Sequence, residues 1–415
     1  MGIRTSILNI LFVSDVSISQ ESSGAERVLF EQSTRLSNRG HTVHILTRRL
    51  PNHKSDQDVI QGVREWRYDI DQRNSLSFIR STLSNCKKLF ESLQNNYSFD
   101  CINFHQPFAA YAVIRSKASK GIKKVYTCHS LSFEEFQSRN PRPRNAVKRL
   151  SYSLNSEARR FIEKRVLFRS DRIIVLSKFT QEKIWNAYKI PPEKTVIIPG
   201  GVDLQRFSPA VDRMEIRRRL NIPEEKMVLL TVRDLEPRMG LENLVCAFRD
   251  ILRELPDSYL VIGGRGPLKD RLISLSRSLG LEGAVSFAGF IPEEDLPDYY
   301  RAADVFILPT IELEGFGLIT LEALASGVLV LGTPVGGTVE ILGKLDSGYL
   351  FKDTKPESMA SLIIETCQQF KNNPRLWQDV SSQCRAFVEA HYSWERNVDR
   401  LENLLRQSLD SGIDI

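Results

Sequence analysis

The chain lacks a long apolar run. Its most prominent early stretch, Ile7 to Val13, is broken by Asn9 and ends at Ser14-Asp15. That is the length of a buried strand, and too short for a membrane span or a convincing signal peptide. Paired cysteines are also missing: Cys86, Cys101, Cys128, Cys246, Cys367 and Cys384 are scattered, with no C-x-x-C spacing. Neither a disulfide framework nor a zinc site is indicated, and reduced thiols in a cytoplasmic setting are expected. No G-x-G-x-x-G follows the first strand, and Gly264-x-Gly266 has no third glycine, which argues against a nicotinamide oxidoreductase. Disorder is excluded too, because 41% apolar and 26% charged residues are ordinary values for a globular protein.

Two short templates are read as coincidences. Met1-Gly2-Ile3-Arg4-Thr5-Ser6 fits N-myristoylation but runs straight into the first strand. Asn96-Tyr97-Ser98 fits a glycosylation sequon, which carries no weight without secretion.

What is present is charge concentrated in one place. Between Arg142 and Arg172 ten basic residues stand against three acidic ones, a net of +7, while the 415-residue chain as a whole nets +6. Val147, Leu150, Leu154, Phe161, Ile162 and Val166 in this segment fall at helical spacings. Such a helix is either a solvated face or a surface for an anionic membrane or an anionic substrate. Nucleic acid is not expected, since no interleaved aromatics or known binding motif accompany the charge.

Apolar strand patterns alternate with helical ones along nearly the whole chain, which implies parallel sheets covered on both faces. So many strands divide better into two doubly wound, Rossmann-like α/β domains than into one sheet. The break is expected in the Pro- and Gly-rich stretch from Pro199-Gly200-Gly201 to Pro209. This gives a first domain of residues 1–203, completed by a C-terminal helix within 391–415 that crosses back, and a second of residues 204–390. Facing α/β domains leave a cleft lined by strand C-termini and helix N-termini, where such folds bind ligands.

The most informative segment is Glu314-Gly315-Phe316-Gly317-Leu318-Ile319-Thr320-Leu321-Glu322. It follows a strand ending at Leu308-Pro309 and opens a helix. Backbone N–H groups near Phe316, Gly317 and Leu318 make a ready anion site, and Gly315 and Gly317 let a ligand approach the main chain. Glu322, about one and a half turns in, suits ribose hydroxyls. Glu314 beside a phosphate makes sense if it serves the hydroxyls of a sugar. A second segment, Val232-Arg233-Asp234-Leu235-Glu236-Pro237-Arg238, puts two arginines in a strand-to-helix loop. They can clamp a diphosphate, or they can ion-pair with Asp234 and Glu236.

Together these residues resemble the family-4 retaining glycosyltransferases of GT-B architecture, over most of the chain. The resemblance rests on Glu314 and Glu322 as an E-x(7)-E motif and on Arg233 followed by Arg238. Ile198-Pro199-Gly200-Gly201-Val202-Asp203, Ser177-Lys178-Phe179, Val261-Ile262-Gly263-Gly264-Arg265-Gly266-Pro267-Leu268, Phe287-Ala288-Gly289-Phe290 and Tyr392-Ser393-Trp394 support it. Arg238 stands where the family often has Lys, with Met239 before the usual glycine, and Gly200-Gly201 replaces a frequent Asn-Gly.

The resemblance implies transfer of a sugar from a UDP- or GDP-linked donor to a hydroxyl acceptor, with retained anomeric configuration. Arg233 and Arg238 would hold the diphosphate, Glu314 the donor sugar and Glu322 the ribose. Gly264 and the main chain near Phe290 and Ile291 would complete the donor site. In the first domain Ser22-Ser23-Gly24 resembles the family's glycine-containing loop, and His129, after Val125-Tyr126-Thr127-Cys128, its histidine beside the donor sugar. His105 holds a similar position at the end of a strand.

No cofactor and no metal are expected, although Asp69-Ile70-Asp71 forms a D-x-D triplet. If the basic segment matters, the acceptor is lipid-linked or anionic and the protein sits peripherally on the cytoplasmic face of a membrane. The competing readings are a sugar-nucleotide epimerase or hydrolase of the same fold and a non-catalytic subunit that binds nucleotide sugars.

Overall fold

The computed structural model describes residues 6–19, 24–51 and 53–410. The template at Met1-Gly2 and the Ser22-Ser23 part of the first glycine loop lie outside them. The chain forms two compact units: Met1–Pro199 with Trp394–Ile415, and Gly200–Ser393.

The first unit runs β1 (Asn9–Val13), α1 (Gly24–Asn38), β2 (Thr42–Arg48), β3 (Gln57–Ile60), β4 (Val63–Tyr68), α2 (Ser75–Tyr97), β5 (Cys101–Phe104) and α3 (Pro107–Ile114). It continues through β6 (Lys123–Cys128), α4 (Ser132–Arg139), α5 (Ala146–Arg169), β7 (Arg172–Val175), α6 (Lys178–Tyr188) and β8 (Thr195–Ile197). The eight strands lie in the order β3-β4-β2-β1-β5-β6-β7-β8. Strand β1 pairs in parallel with both β2 and β5, and its Ile10, Leu11, Phe12 and Val13 are all buried. This is the continuous apolar run that a central parallel strand requires, because both of its faces are covered.

One edge was not anticipated. Strand β3 pairs antiparallel with β4 through Gln61-Gly62, both at positive φ, the geometry of a two-residue hairpin turn. The inward residues of β4 include Glu65 and Arg67. Glu65 accepts hydrogen bonds from the Ser17 hydroxyl, the Ile18 N–H and Arg67 Nε. A strand that buries charge in a satisfied network shows no apolar alternation.

The last helix, α15 (Trp394–Asp410), belongs to the first unit. Its Val398, Leu401, Leu404 and Leu405 join Ile10, Phe12, Leu29 and Leu36 in one apolar cluster, and Gln32 Nε2 donates to Asn397 Oδ1 at 3.0 Å. This stripe on α15 has its partner in the first sheet.

Helix α5 is capped by Asn145, whose Oδ1 accepts from the N–H groups of Val147 and Lys148. Its sequence pattern suggested one apolar stripe, and the structure divides it. Ile162 and Val166 point inward, whereas Val147, Leu150, Leu154 and Phe161 are exposed. Also inward is Glu163, which accepts from the Ser132 N–H and the Tyr188 hydroxyl. Burial raises the Glu163 carboxyl to about 7.

The second unit contains α7 (Arg213–Arg219), β9 (Met227–Val232), α8 (Leu241–Glu254), β10 (Ser258–Gly263), α9 (Lys269–Ser278), β11 (Val285–Gly289) and α10 (Leu296–Ala302). It continues with β12 (Val305–Leu308), α11 (Leu318–Ala325), β13 (Leu329–Gly332), α12 (Thr338–Leu345), α13 (Pro356–Asn372) and α14 (Pro374–His391). Its all-parallel sheet has the order β11-β10-β9-β12-β13. The chain moves one way from β9 to β11 and the other way from β12 to β13, so the order reverses between β9 and β12. In the first unit it reverses between β1 and β5. Ligands of open α/β sheets bind outside the strand C-termini at such reversals.

Candidate active site

In the second unit the two motif segments meet at that reversal. Arg233 is the first residue beyond β9, and Thr310 lies two residues beyond β12. Arg233 Nη2 donates to Glu314 Oε2 and Nη1 to Thr310 Oγ1, both at 2.6 Å, and the Thr310 hydroxyl reaches the same Glu314 oxygen at 3.2 Å. The side chains of Arg233 and Glu314 are 5% and 11% exposed. The alternative of pairing with Asp234 and Glu236 is therefore not what Arg233 does; its partner is the motif glutamate. Arg233 Nε is buried with no partner among the described residues. Arg238 Nη1 contacts the Leu313 carbonyl at 3.3 Å, and the Arg238 carbonyl accepts from the Ile311 N–H at 2.8 Å. The β9 and β12 loops are thus knit together.

Two glycines permit this convergence. A Cβ on Gly264, at φ +129°, would lie 1.7 Å from the Arg233 carbonyl oxygen, and one on Gly336, at φ +64°, 1.9 Å from that of Glu314. Only glycine fits such a close approach. The Gly337 N–H then donates to the Glu314 carbonyl at 2.9 Å.

Helix α11 begins after Gly317, at φ +92°, with no side-chain cap. Its N-terminus therefore presents first-turn N–H groups and the positive end of its dipole to whatever lies before it. Gly315, Phe316 and Leu318 shape this entry, and Phe316 is buried against Tyr392 with ring centroids 6.1 Å apart. Glu322 is 2% exposed, and one oxygen accepts from the Tyr300 hydroxyl at 2.9 Å. Phe290 is half exposed beneath the Arg265 guanidinium, 4.7 Å from the ring centroid, while Ile291 is buried.

Gly24 and His129 lie in the first unit. Gly24 is exposed and opens α1. His129 follows β6, and its Nε2 sits 3.0 Å from Nδ1 of His105, which follows β5. Burial lowers the His129 imidazole to about 4 and, together with His129, that of His105 well below its usual value. Both rings are neutral near neutral pH, so His129 can donate or accept a hydrogen bond but brings no charge.

At the β1–β5 reversal the Ser14 hydroxyl and the Asp15 N–H both donate to Gln106 Oε1, at 2.7 and 2.8 Å. The Asp15 carboxyl, 3.4 Å from the Tyr68 hydroxyl, is raised by burial against the opposing pull of Arg48.

Asp69 and Asp71 of the D-x-D triplet are each engaged by an arginine: Arg49 at 3.2 Å and Arg73 at 2.6 Å. Arg73 holds the Asp71 carboxyl down to about 2. No group of three or more His, Cys, Asp or Glu side chains suited to a metal occurs among the described residues. None of the helices described is long and apolar enough to cross a membrane.

Sequence reading did not find Thr310, Tyr300, Asp15 or Gly336-Gly337. The last pair, in the loop between β13 and α12, was a visible signal. Thr310 and Tyr300 matter only through the side chains they hold, Arg233 and Glu314 for the one and Glu322 for the other, and had none.

Residues 22–206 match the family model described as Glycosyltransferase Family 4, and residues 212–376 the model described as Glycosyl transferases group 1. An uncharacterised glycosyltransferase of Methanocaldococcus jannaschii is 31% identical over 262 residues, 62% of this chain and 66% of that protein. The mannosylfructose-phosphate synthase of Agrobacterium fabrum is 28% identical over 393 residues, 90% of this chain and 84% of that protein. Among solved structures, a sucrose-phosphate synthase from Thermosynechococcus elongatus superposes with a TM-score of 0.80 at 23% identity, covering 97% of this chain and all of that one. The fold is accordingly GT-B.

Proposed function

The chain belongs to the family-4 glycosyltransferases, and from that premise we propose that it is a retaining, metal-independent hexosyltransferase. Its donor is a nucleoside-diphosphate sugar, linked to UDP or GDP, and its acceptor a hydroxyl in glycan, glycolipid or glycoconjugate synthesis. The Arg233–Thr310–Glu314 cluster at the sheet reversal carries this reading, because it puts a guanidinium and a carboxylate side by side in front of an uncapped helix.

A diphosphate leaving group demands positive charge where its negative charge develops. Arg233, Arg238 and the first N–H groups of α11 supply it without a metal. Glu314, held by Arg233 and Thr310, accepts from donor-sugar hydroxyls, and Glu322, oriented by Tyr300, from the ribose. Gly264, Phe290 and Ile291 border the base. Gly24 and His129 belong to the first unit, where His129 is a neutral hydrogen-bonding group. In the transfer step the bond from the anomeric carbon to the diphosphate oxygen breaks. The acceptor oxygen bonds to that carbon from the same face, and its proton passes to the departing diphosphate oxygen. We place the protein in the cytoplasm.

A thermal-shift screen tests donor recognition directly, since a ligand that binds only the folded state raises the melting temperature by mass action. UDP or GDP and its sugars should raise it in the parent protein and fail to do so in Arg233→Ala. Product anomers resolved by NMR test retention, and turnover in EDTA tests metal independence. An inverted product, or complete loss of turnover in EDTA, would overturn the corresponding assignment.

A further inference from the structure

We infer that the outward face of α5 is a docking surface for an anionic lipid bilayer. The residues that pack this helix against the first unit are Ser156, Ile162, Glu163, Val166 and Leu167. On the opposite side Val147, Leu150, Leu154, Phe161 and Phe168 are 77%, 63%, 63%, 50% and 50% exposed. Four of the five are seven residues apart. At 3.6 residues per turn seven residues drift by only about 20°, so these side chains form one narrow stripe along a 24-residue helix. Apolar residues at scattered surface positions need no explanation, but a contiguous apolar stripe back to back with a buried face does.

The stripe is bordered by cations placed on its aromatic rings. The Arg165 guanidinium lies 5.0 Å from the Phe161 centroid, and the ammonium groups of Lys164 and Lys194 lie 5.8 and 6.0 Å from that of Phe168. Arg160 Nη2 donates to the Ala187 carbonyl at 3.2 Å, which ties α5 to the end of α6. There Trp185 is 44% exposed beneath Lys189, 5.3 Å from the ring centroid. At the other end Arg142, Arg144, Lys148 and Arg149 are exposed. Glu157 is the exposed acidic residue of α5.

Apolar side chains ringed by Lys and Arg, with a tryptophan at the margin, match the boundary between acyl chains and anionic headgroups. The apolar atoms enter the hydrocarbon edge, and the cations reach outward to the phosphates. A second copy of this chain fits poorly, because pairing this face with itself brings like charges together. The inference does not depend on the transfer reaction.

Flotation of the full chain with vesicles tests the surface. Protein should float with vesicles that mix phosphatidylcholine and phosphatidylglycerol, less so at high salt, and stay behind with phosphatidylcholine alone. Leu150→Glu combined with Leu154→Glu and Phe161→Glu should reduce bound protein by roughly tenfold or more. The melting temperature should hold, because these side chains face away from the core. Arg165→Glu with Lys148→Glu and Arg149→Glu should lose the salt-sensitive part of binding. Absence of flotation, or parent-like flotation of the apolar variant, would overturn the inference. So would a dimer by light scattering that the same substitutions dissolve. Flotation needs no nucleotide sugar, so its failure leaves the transferase reading standing, and an inactive enzyme that floats leaves this surface standing.

Discussion

The two units build the same crevice and fill it with opposite chemistry. At the reversal of the second sheet stand two guanidiniums, a carboxylate and an uncapped helix, so charge dominates. The reversal of the first sheet holds Ser14, Gln106 and a carboxyl at Asp15 that burial holds back from ionising, with two uncharged imidazoles on the neighbouring strand ends. One fold rule says where a ligand goes, and the side chains just past the strands decide which ligand. A crevice dominated by guanidiniums suits a diphosphate, and one lined by a hydroxyl, an amide and imidazoles suits hydroxyls.

The comparison breaks most sharply at the arginines. Arg233→Ala and Arg238→Ala should each lower kcat by about 10²–10³-fold, the range seen when a donor to a developing negative charge is removed, with circular dichroism unchanged. Near-normal turnover in both would show that the charged crevice is not where the leaving group sits. Glu314→Gln should be next, at about 10–100-fold in kcat/KM, because it replaces a charge-assisted contact to the sugar by a neutral one and releases Arg233. Tyr300→Phe frees only the orientation of Glu322, so it should raise the KM for the donor several-fold and leave kcat nearly untouched. A fall in kcat alone would reassign Tyr300.

The first unit should respond to pH with two opposed slopes. His129 binds its proton less readily when folded, at about 4 against 6.5 for a free imidazole. Its contribution to stability is therefore full above 6.5 and disappears as pH falls towards about 4. Glu163 binds its proton more readily when folded, at about 7 against 4.5, so its contribution is full below 4.5 and is lost as pH rises through about 7. His129→Gln should flatten the acid limb of the melting-temperature profile and Glu163→Gln the rising one. Identical profiles for parent and variants would contradict both assignments. The smallest effect belongs to Asn145→Ala, which removes the cap of α5 at a cost of about 1 kcal/mol, read as a small fall in melting temperature.

The division into parallel α/β units was legible because a central parallel strand such as β1 is a bare apolar run and because glycines punctuate the loops. The meeting of the Arg233 and Glu314 segments was legible for a related reason: each stands at a short, fixed offset from a strand end. The β3–β4 hairpin was not, since Glu65 and Arg67 point inward on hydrogen bonds to Ser17, Ile18 and each other. Burial of that kind leaves no periodic trace. Helix α5 failed differently. Its apolar residues were visible, but spacing alone does not reveal that Ile162 and Phe161, adjacent in sequence, face the core and the solvent respectively. Glu322 shows the same limit: its place in the motif was evident, and its burial against Tyr300 was not.

Because the first unit takes Val398, Leu401, Leu404 and Leu405 from α15, its sheet is made well before the helix that completes its core. Until α15 is made, the face of the first sheet that carries Ile10 and Phe12 is covered by α1 but not by α15, while residues 200–393 hold all the strands and helices of their own unit. During synthesis the nascent chain must keep that incomplete face from aggregating, and a premature stop before Trp394 damages the first unit rather than the second.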